Sequence, residues 1–119
     1  MVTMSPMSSK ECDPTCPVKK TAEIVGTKWT TLIIRDLLTG TKRYSQLKRS
    51  LKGISPKMLS DRLRMLSKRG MIQRRVLDTN PPTTEYSLTP LGKQLEGVIQ
   101  AMAAFGEKLG EASKPSNGG

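Results

Sequence analysis

The sequence predicts a mainly α-helical fold with one small β-hairpin. Apolar residues recur at helical spacing through most of residues 16–112, whereas two-residue alternation is confined to the region between Met71 and Leu88. The length of 119 residues is typical of one domain. We therefore expect a single folded domain over residues 16–112, with a flexible arm at residues 1–15 and a flexible tail at residues 113–119.

Two helices are predicted at the start of the domain. Cys16 and Pro17 stand where an N-cap residue and an N1 proline are expected, and Gly26 ends this first helix. The second helix spans about residues 28–38 and stops at Gly40. Its wide apolar stripe predicts burial of Trp29, Leu32, Ile33, Leu37 and Leu38.

A helix-turn-helix is predicted next. Ser45 is expected to cap a brief helix that buries Leu47 and Leu51, and residues 52–54 form a turn around Gly53. Ser55 followed by a proline is a strong start signal for a second helix, which runs to Arg69 and ends before Gly70. This helix should bury Leu59, Leu63 and Leu66.

A β-hairpin and a long terminal helix complete the predicted domain. Strands at residues 71–77 and 84–88 flank a turn at residues 78–82, and a helix follows over residues 89–112. This last helix carries an apolar seam with steps of four and three residues, which predicts a partner helix and hence a homodimer. Packing on its own domain is the alternative. The expected interface residues are Leu91, Leu95, Val98, Met102, Phe105 and Leu109.

Positive charge is concentrated in one segment of the chain. The net charge is +10, and residues 41–75, here called the basic block, carry twelve Lys and Arg against one acid, Asp61. Such a block favours a polyanionic partner, because a phosphate backbone relieves the mutual repulsion of the cations. A solvated basic face is an alternative. An anionic membrane is disfavoured, because the block lacks a broad apolar face bordered by Trp or Phe.

Several classes of function are excluded or disfavoured by composition. The chain has no histidine, which excludes His-based catalytic triads and His metal ligands. Two cysteines, Cys12 and Cys16, are too few for a structural zinc site, so we expect neither a metal nor a cofactor. Neither a secretory signal nor a membrane span is predicted, which indicates a cytoplasmic protein with reduced thiols. An enzyme is therefore disfavoured.

The coincidence of the basic block with the helix-turn-helix and its hairpin predicts a winged helix that binds double-stranded DNA. The helix that follows Ser55 would enter the major groove, where Lys57 or Arg64 can read guanine edges. Asp61 would either accept from a cytosine amine or pair with a neighbouring cation. On the first wing strand, Arg75 is expected to contact DNA. The complete set of expected DNA contacts is Lys42, Arg43, Ser45, Lys48, Ser55, Lys57, Met58, Ser60, Arg62, Arg64, Arg75, Thr79 and Asn80.

Cys16 is a candidate reactive thiol. At a helix N-cap, with Lys19 and Lys20 within the next turn, its thiolate form is favoured, and an exposed thiolate is open to oxidation or alkylation. A small buried residue is the competing interpretation. Cys12 could resolve an oxidised Cys16 or cross-link to another subunit.

A nucleic-acid-packing protein with neither sequence preference nor sensing role is the alternative function.

Several motifs resemble those of the HxlR-type winged helix-turn-helix regulators. They are Cys16-Pro17-Val18, Gly26-Thr27-Lys28-Trp29, residues 32–38, residues 43–47, residues 53–60 and residues 85–92, so that the similarity covers about residues 16–95. The resemblance implies a homodimer that joins through its first and last helices and binds a near-palindromic operator. It also implies sensing of electrophiles, quinones or oxidants at Cys16, and control of nearby genes. Cys12 lies outside the resembling pattern.

Overall fold

The computed structural model describes residues 15–113, which form six helices and three strands. The predicted arm and tail therefore lie outside the described residues, apart from Thr15 and Ser113. The helices and strands are α1 (Pro17–Val25), α2 (Lys28–Leu37), β1 (Lys42–Arg43), α3 (Tyr44–Ser50), α4 (Pro56–Lys68), β2 (Ile72–Leu77), β3 (Thr83–Leu88), α5 (Pro90–Lys93) and α6 (Glu96–Ser113).

The sheet has three antiparallel strands rather than the two of a simple hairpin. Strand β3 lies in the middle, pairing with β2 on one side and with β1 on the other. Strand β1 has only two residues, Lys42 opposite Tyr86 and Arg43 opposite Glu85. A segment this short shows no alternation of polar and apolar residues, so the sequence pattern could not reveal it. The predicted hairpin itself is confirmed as β2 and β3.

The apolar core lies between α2, α3, α4 and the sheet. The predicted inward residues of α3 and α4 are all buried, and α2 adds Ile34 and the polar Thr30, which the stripe did not predict. The Thr30 hydroxyl accepts a hydrogen bond from Thr27 Oγ1 at 2.8 Å, which satisfies it inside the core. The predicted anchor Trp29 is half-buried and packs against the core edge.

The helix-turn-helix forms as predicted, except at its first cap. The backbone N–H of Arg43 donates to Gln46 Oε1 at 2.8 Å, so Arg43 stands at the N-cap of α3 and Ser45 lies inside its first turn. The prediction that Ser45 caps this helix is therefore wrong. The physical reason is that the Gln46 side chain, inside the helix, supplies the oxygen that accepts from the backbone N–H of Arg43. Ser55 does cap α4, where its Oγ accepts from the Met58 N–H at 3.0 Å.

The predicted long terminal helix is two helices separated by a tight turn. The N–H groups of Gln94 and Leu95 donate to carbonyls only three residues back, which ends α5. This turn carries Leu95 into the core, where it is 9% exposed. The expected continuous seam over residues 89–112 is thus wrong, because burial of Leu95 on its own domain interrupts it. Within residues 15–113, no helix combines the length and apolar character needed to cross a bilayer.

Candidate nucleic-acid interface

The outward face of α4 presents two cations held by one carboxylate. Lys57 Nζ lies 3.3 Å from Asp61 Oδ2, and Arg64 Nη1 lies 3.2 Å from Asp61 Oδ1. The side chains of Lys57 and Arg64 are 86% and 65% exposed. The i,i+4 and i,i+3 spacings place all three groups on one helix face. Of the alternatives weighed for Asp61, the pairing with Lys57 and Arg64 is confirmed.

The charge state of Asp61 follows from this pairing. The hydrogen bond from Lys57 is the largest cause that lowers the pKa of the Asp61 carboxyl, and Arg64 adds to it. Asp61 is therefore ionised at neutral pH, and each of its oxygens faces a cation. The face as a whole keeps an excess positive charge.

The start of α4 is fixed by local geometry. Its Ser55 cap and N1 proline set the direction of the first turn, while Met58 is half-buried against the core. The Tyr44 hydroxyl, at the start of α3, donates to the carbonyl of Pro56 at 3.4 Å, which ties the two helices of the motif together. Lys57 therefore projects from a helix end that the domain holds in place.

A basic groove separates α4 from strand β2. It has a volume of about 440 Å³ and is lined by Ser60, Leu63, Arg64, Ser67, Arg74 and Tyr86. Because Arg74 pairs directly across from Tyr86, both side chains lie on the sheet face that turns toward α4. We call this the helix–strand groove. The Ser67 Oγ on its wall is buried and has no hydrogen-bond partner among the described residues.

Arg75 lies on the opposite face of the sheet from this groove. Its cross-strand partner is Glu85, which also lies opposite Arg43 on β1. Arg74 and Arg75 both belong to the first wing strand, but the expected set of DNA contacts includes only Arg75, because alternation along the strand does not by itself tell which face turns toward α4. The register Arg74–Tyr86 is the signal that assigns it, since Tyr86 is buried.

The cations before and within α3 lie on different sides of the domain. Lys42 lines a groove of about 400 Å³ with Gln46, Arg49 and the acid Asp36. Arg43 and Ser45 instead line a groove of about 340 Å³ that reaches the start of β3 at Thr83. Lys48 is half-buried. The helix-turn-helix therefore carries cations on both of its flanks, as well as on the outward face of α4.

Two of the expected DNA contacts are partly buried or hydrogen-bonded within the protein. Arg62 lies on the half-buried side of α4, and its Nε is buried with no hydrogen-bond partner in residues 15–113. At the tip of the β2–β3 hairpin, here called the wing, Thr79 Oγ1 donates to the Pro81 carbonyl at 2.6 Å. It also lies 3.0 Å from Thr83 Oγ1. Asn80 beside it is exposed.

Cys16 stands at the N-cap of α1, as predicted. Its thiol is half-buried, and the side chain makes no capping hydrogen bond to α1. Lys19 and Lys20 follow within the first turn of the helix. Cys12 lies outside the described residues, so the structure does not relate the two thiols. Among the residues described, no group of three or more Cys, Asp or Glu side chains could hold a metal ion.

The expected interface residues separate into two groups. Leu95 is buried and Val98 is half-buried, and both pack on their own domain. Leu91 on α5 is 51% exposed, and Phe105 on α6 is 61% exposed. Because Leu95 is 9% exposed, little of its surface remains for a partner, and its place in a subunit interface stays a prediction. An exposed apolar stripe remains on α6, formed by Met102, Phe105 and Leu109.

Solved structures with this arrangement are transcriptional regulators. One is a regulator described as MarR family from Porphyromonas gingivalis W83, with a TM-score of 0.78 and 43% identity, covering 83% of this chain and 97% of that one. Another is the redox regulator HypR in its oxidised form, with a TM-score of 0.74 and 35% identity, covering 78% of this chain and 96% of that one.

Sequence comparison points to the same class of protein. The chain is 41% identical over 93 residues to the helix-turn-helix transcriptional regulator YdeP of Bacillus subtilis (strain 168), covering 78% of this chain and 73% of that protein. The family model for the HxlR-like helix-turn-helix matches residues 24–114. The chain therefore belongs to the HxlR-like helix-turn-helix family and is a transcriptional regulator of the helix-turn-helix type, not an enzyme.

Proposed function

We propose that this chain is a sequence-specific DNA-binding regulator that acts as a homodimer on a near-palindromic operator. The observation that carries the proposal is the outward face of α4, where Lys57 and Arg64 are exposed on a capped helix inside the basic block. A helix about 10–12 Å wide fits the major groove of B-form DNA. Such a regulator, with reduced thiols, would act in the cytoplasm.

The base-reading role falls on the first half of α4. Arg64 can donate two parallel hydrogen bonds to O6 and N7 of a guanine, and Lys57 can reach the same groove edge. Ser60 and Met58 border this face, and Ser55 lies at the helix start. These contacts would distinguish base pairs, because each pair presents a distinct donor and acceptor pattern in the major groove.

The remaining contacts would position the domain on the phosphate backbone. Cations on the flanks of the helix-turn-helix supply charge without reading sequence. Asn80 at the wing tip would reach the adjacent minor groove. The residues proposed for these contacts are Lys42, Arg43, Ser45, Lys48, Arg62, Arg75, Thr79 and Asn80, and the helix–strand groove adds Arg74.

A dimer would bury the exposed stripe on α6. Phe105 and Leu109 lie on the same helix face as Met102, and an apolar row on a terminal helix is stabilised by a second copy of itself. A two-fold dimer presents two α4 helices, whose half-sites would lie about one helical turn, roughly 34 Å, apart on the DNA. Leu91 and Val98 would extend the contact at its edge.

We further propose that Cys16 senses a small electrophile or oxidant. Its N-cap position and the two following lysines favour the thiolate, and HypR, a redox regulator, is similar in fold and sequence. A hydroperoxide would oxidise this thiolate by two electrons to a sulfenic acid and be reduced to an alcohol. A quinone would instead accept the sulfur at a ring carbon and form a thioether.

One experiment tests the central proposal. The full-length protein is used to select duplexes from a randomised library, and its affinity for the selected duplex and for a random duplex is then measured by gel shift at several salt concentrations. We expect a discrete selected site with two-fold symmetry and at least about 1,000-fold preference over random DNA at physiological salt. Equal affinity for both duplexes at every salt concentration would instead identify a non-specific packing protein.

A further inference from the structure

Asp61 is the one acidic residue of the basic block, and it stands in the middle of the face proposed to enter DNA. An exposed carboxylate there weakens the attraction of the whole face for phosphate. Its ion pairs are solvent-exposed, and exposed pairs contribute little to folding stability. Neither general DNA affinity nor stability therefore accounts for a carboxylate at this position.

The geometry of the pairing is compatible with base reading by Arg64. A guanidinium has five N–H donors, and the contact between Nη1 and Asp61 Oδ1 at 3.2 Å uses one side of it. The remaining donors suffice for a bidentate contact with guanine. Lys57 lies one turn before Asp61, and its Nζ donates to Asp61 Oδ2 at 3.3 Å. Both cations are thus oriented along α4 before any DNA arrives.

We propose that Asp61 is a specificity-determining positioning residue, whose carboxylate orients Arg64 and Lys57 for the operator and repels phosphate in non-operator complexes. The inference rests on the proposed DNA-binding function. A fixed guanidinium loses less side-chain freedom on binding than a mobile one, but only a correctly placed guanine gains from the fixed position. Any DNA sequence meets the repulsion from the carboxylate, and only the operator offsets it through the oriented Arg64.

The chain offers a matched control for the change of charge. Glu23 on α1 is an exposed acid that pairs with Arg69, at the end of α4, at 3.6 Å. Glu23→Gln and Asp61→Asn each remove one negative charge and one set of exposed ion pairs around α4. General electrostatics predicts that each variant raises the affinity for both duplexes by a common factor, which is larger for Asp61→Asn because Asp61 lies on the DNA-facing side, and leaves the ratio of the two affinities unchanged. The proposed role predicts a loss of that ratio for Asp61→Asn alone.

The test measures the affinity of each variant for the selected duplex and for a random duplex over a series of salt concentrations. For Asp61→Asn we expect random-duplex affinity to rise about threefold or more and the ratio of selected to random affinity to fall about tenfold. Asp61→Glu, which keeps a carboxylate within reach of Arg64, should retain most of the ratio. In an Arg64→Ala background, Asp61→Asn should reduce the ratio by much less, because the residue it positions is gone.

The outcomes separate this inference from the function on which it rests. If the wild type selects no site, both are overturned. If the wild type selects a site but Asp61→Asn, like Glu23→Gln, leaves the ratio of selected to random affinity unchanged, only the role of Asp61 is overturned. A full further loss from Asp61→Asn in the Arg64→Ala background would overturn the positioning of Arg64 by Asp61, since Asp61 would then act without Arg64. Thermal unfolding of every variant shows whether the fold is retained.

Discussion

Arg74 on strand β2 lies directly across from the buried Tyr86, and therefore on the sheet face that turns toward α4. There it lines the helix–strand groove together with Arg64 and Ser67. When α4 enters a major groove, one phosphate strand of the duplex borders that helix. The helix–strand groove would receive the backbone of this DNA strand, and Arg74 would contact one of its phosphates.

Replacing Arg74 with Ala should weaken binding to selected and random DNA alike. We expect about a fivefold loss of affinity and a salt-dependence slope smaller by about one phosphate contact. Arg75→Ala removes a proposed backbone contact on the opposite face of the sheet, near Glu85, and should cost less affinity than Arg74→Ala. Gel-shift titrations over a range of salt concentrations measure both variants. A larger loss for Arg75→Ala would place the DNA on the other face of the sheet.

Phe105→Glu should dissociate the proposed homodimer while leaving the fold of each protomer intact. Phe105 is 61% exposed in one chain, so a charge there should change protomer stability by only about 0.5 kcal/mol. At a subunit interface the same charge should raise the dissociation constant about 30-fold or more. Sedimentation equilibrium provides the measurement. Gln100→Glu, on the opposite side of α6 by helical periodicity, adds the same charge and should leave the dimer unchanged.

Cys16→Ser should abolish the response of DNA binding to oxidants and quinones. In the wild type, treatment with a hydroperoxide or a quinone should change affinity for the selected duplex by about five- to 150-fold, the usual range of coupling between two sites. Affinity before and after treatment is compared by gel shift. Cys12→Ser serves as the control and should keep most of the response. A Cys16→Ser protein that responds like the wild type would remove the sensing role from this thiol.

Gly92→Ala should destabilise the domain by about 2 kcal/mol, because a β-carbon there would collide with the carbonyl oxygen of Met71. That carbonyl also accepts the backbone N–H of Thr89, whose hydroxyl caps α5. Urea unfolding gives the change in free energy. Gly97→Ala, where an added β-carbon meets nothing within 4 Å, should stabilise α6 by about 0.5–1 kcal/mol. Equal changes in the free energy of unfolding for the two substitutions would contradict the close approach of the Met71 carbonyl to Gly92.

Local signals were enough to predict most of the helices, the wing and the face of α4. Ser55 with the following proline, and Gly70 after the last turn, mark the bounds of α4 through backbone chemistry that acts within a few residues. The spacing of Leu59, Leu63 and Leu66 then decides which side of α4 is buried, and so which cations face outward.

Other features depended on contacts between residues far apart in the chain. Strand β1 exists because β3 has a free edge beside Lys42 and Arg43, and the terminal helix breaks because Leu95 is buried in a core built by earlier helices. The sheet face of Arg74 follows from its register with Tyr86. Hydrophobic periodicity carries information about one segment at a time. Strand register, the free edge of a sheet and the space in the core that Leu95 fills arise only when distant segments pack together.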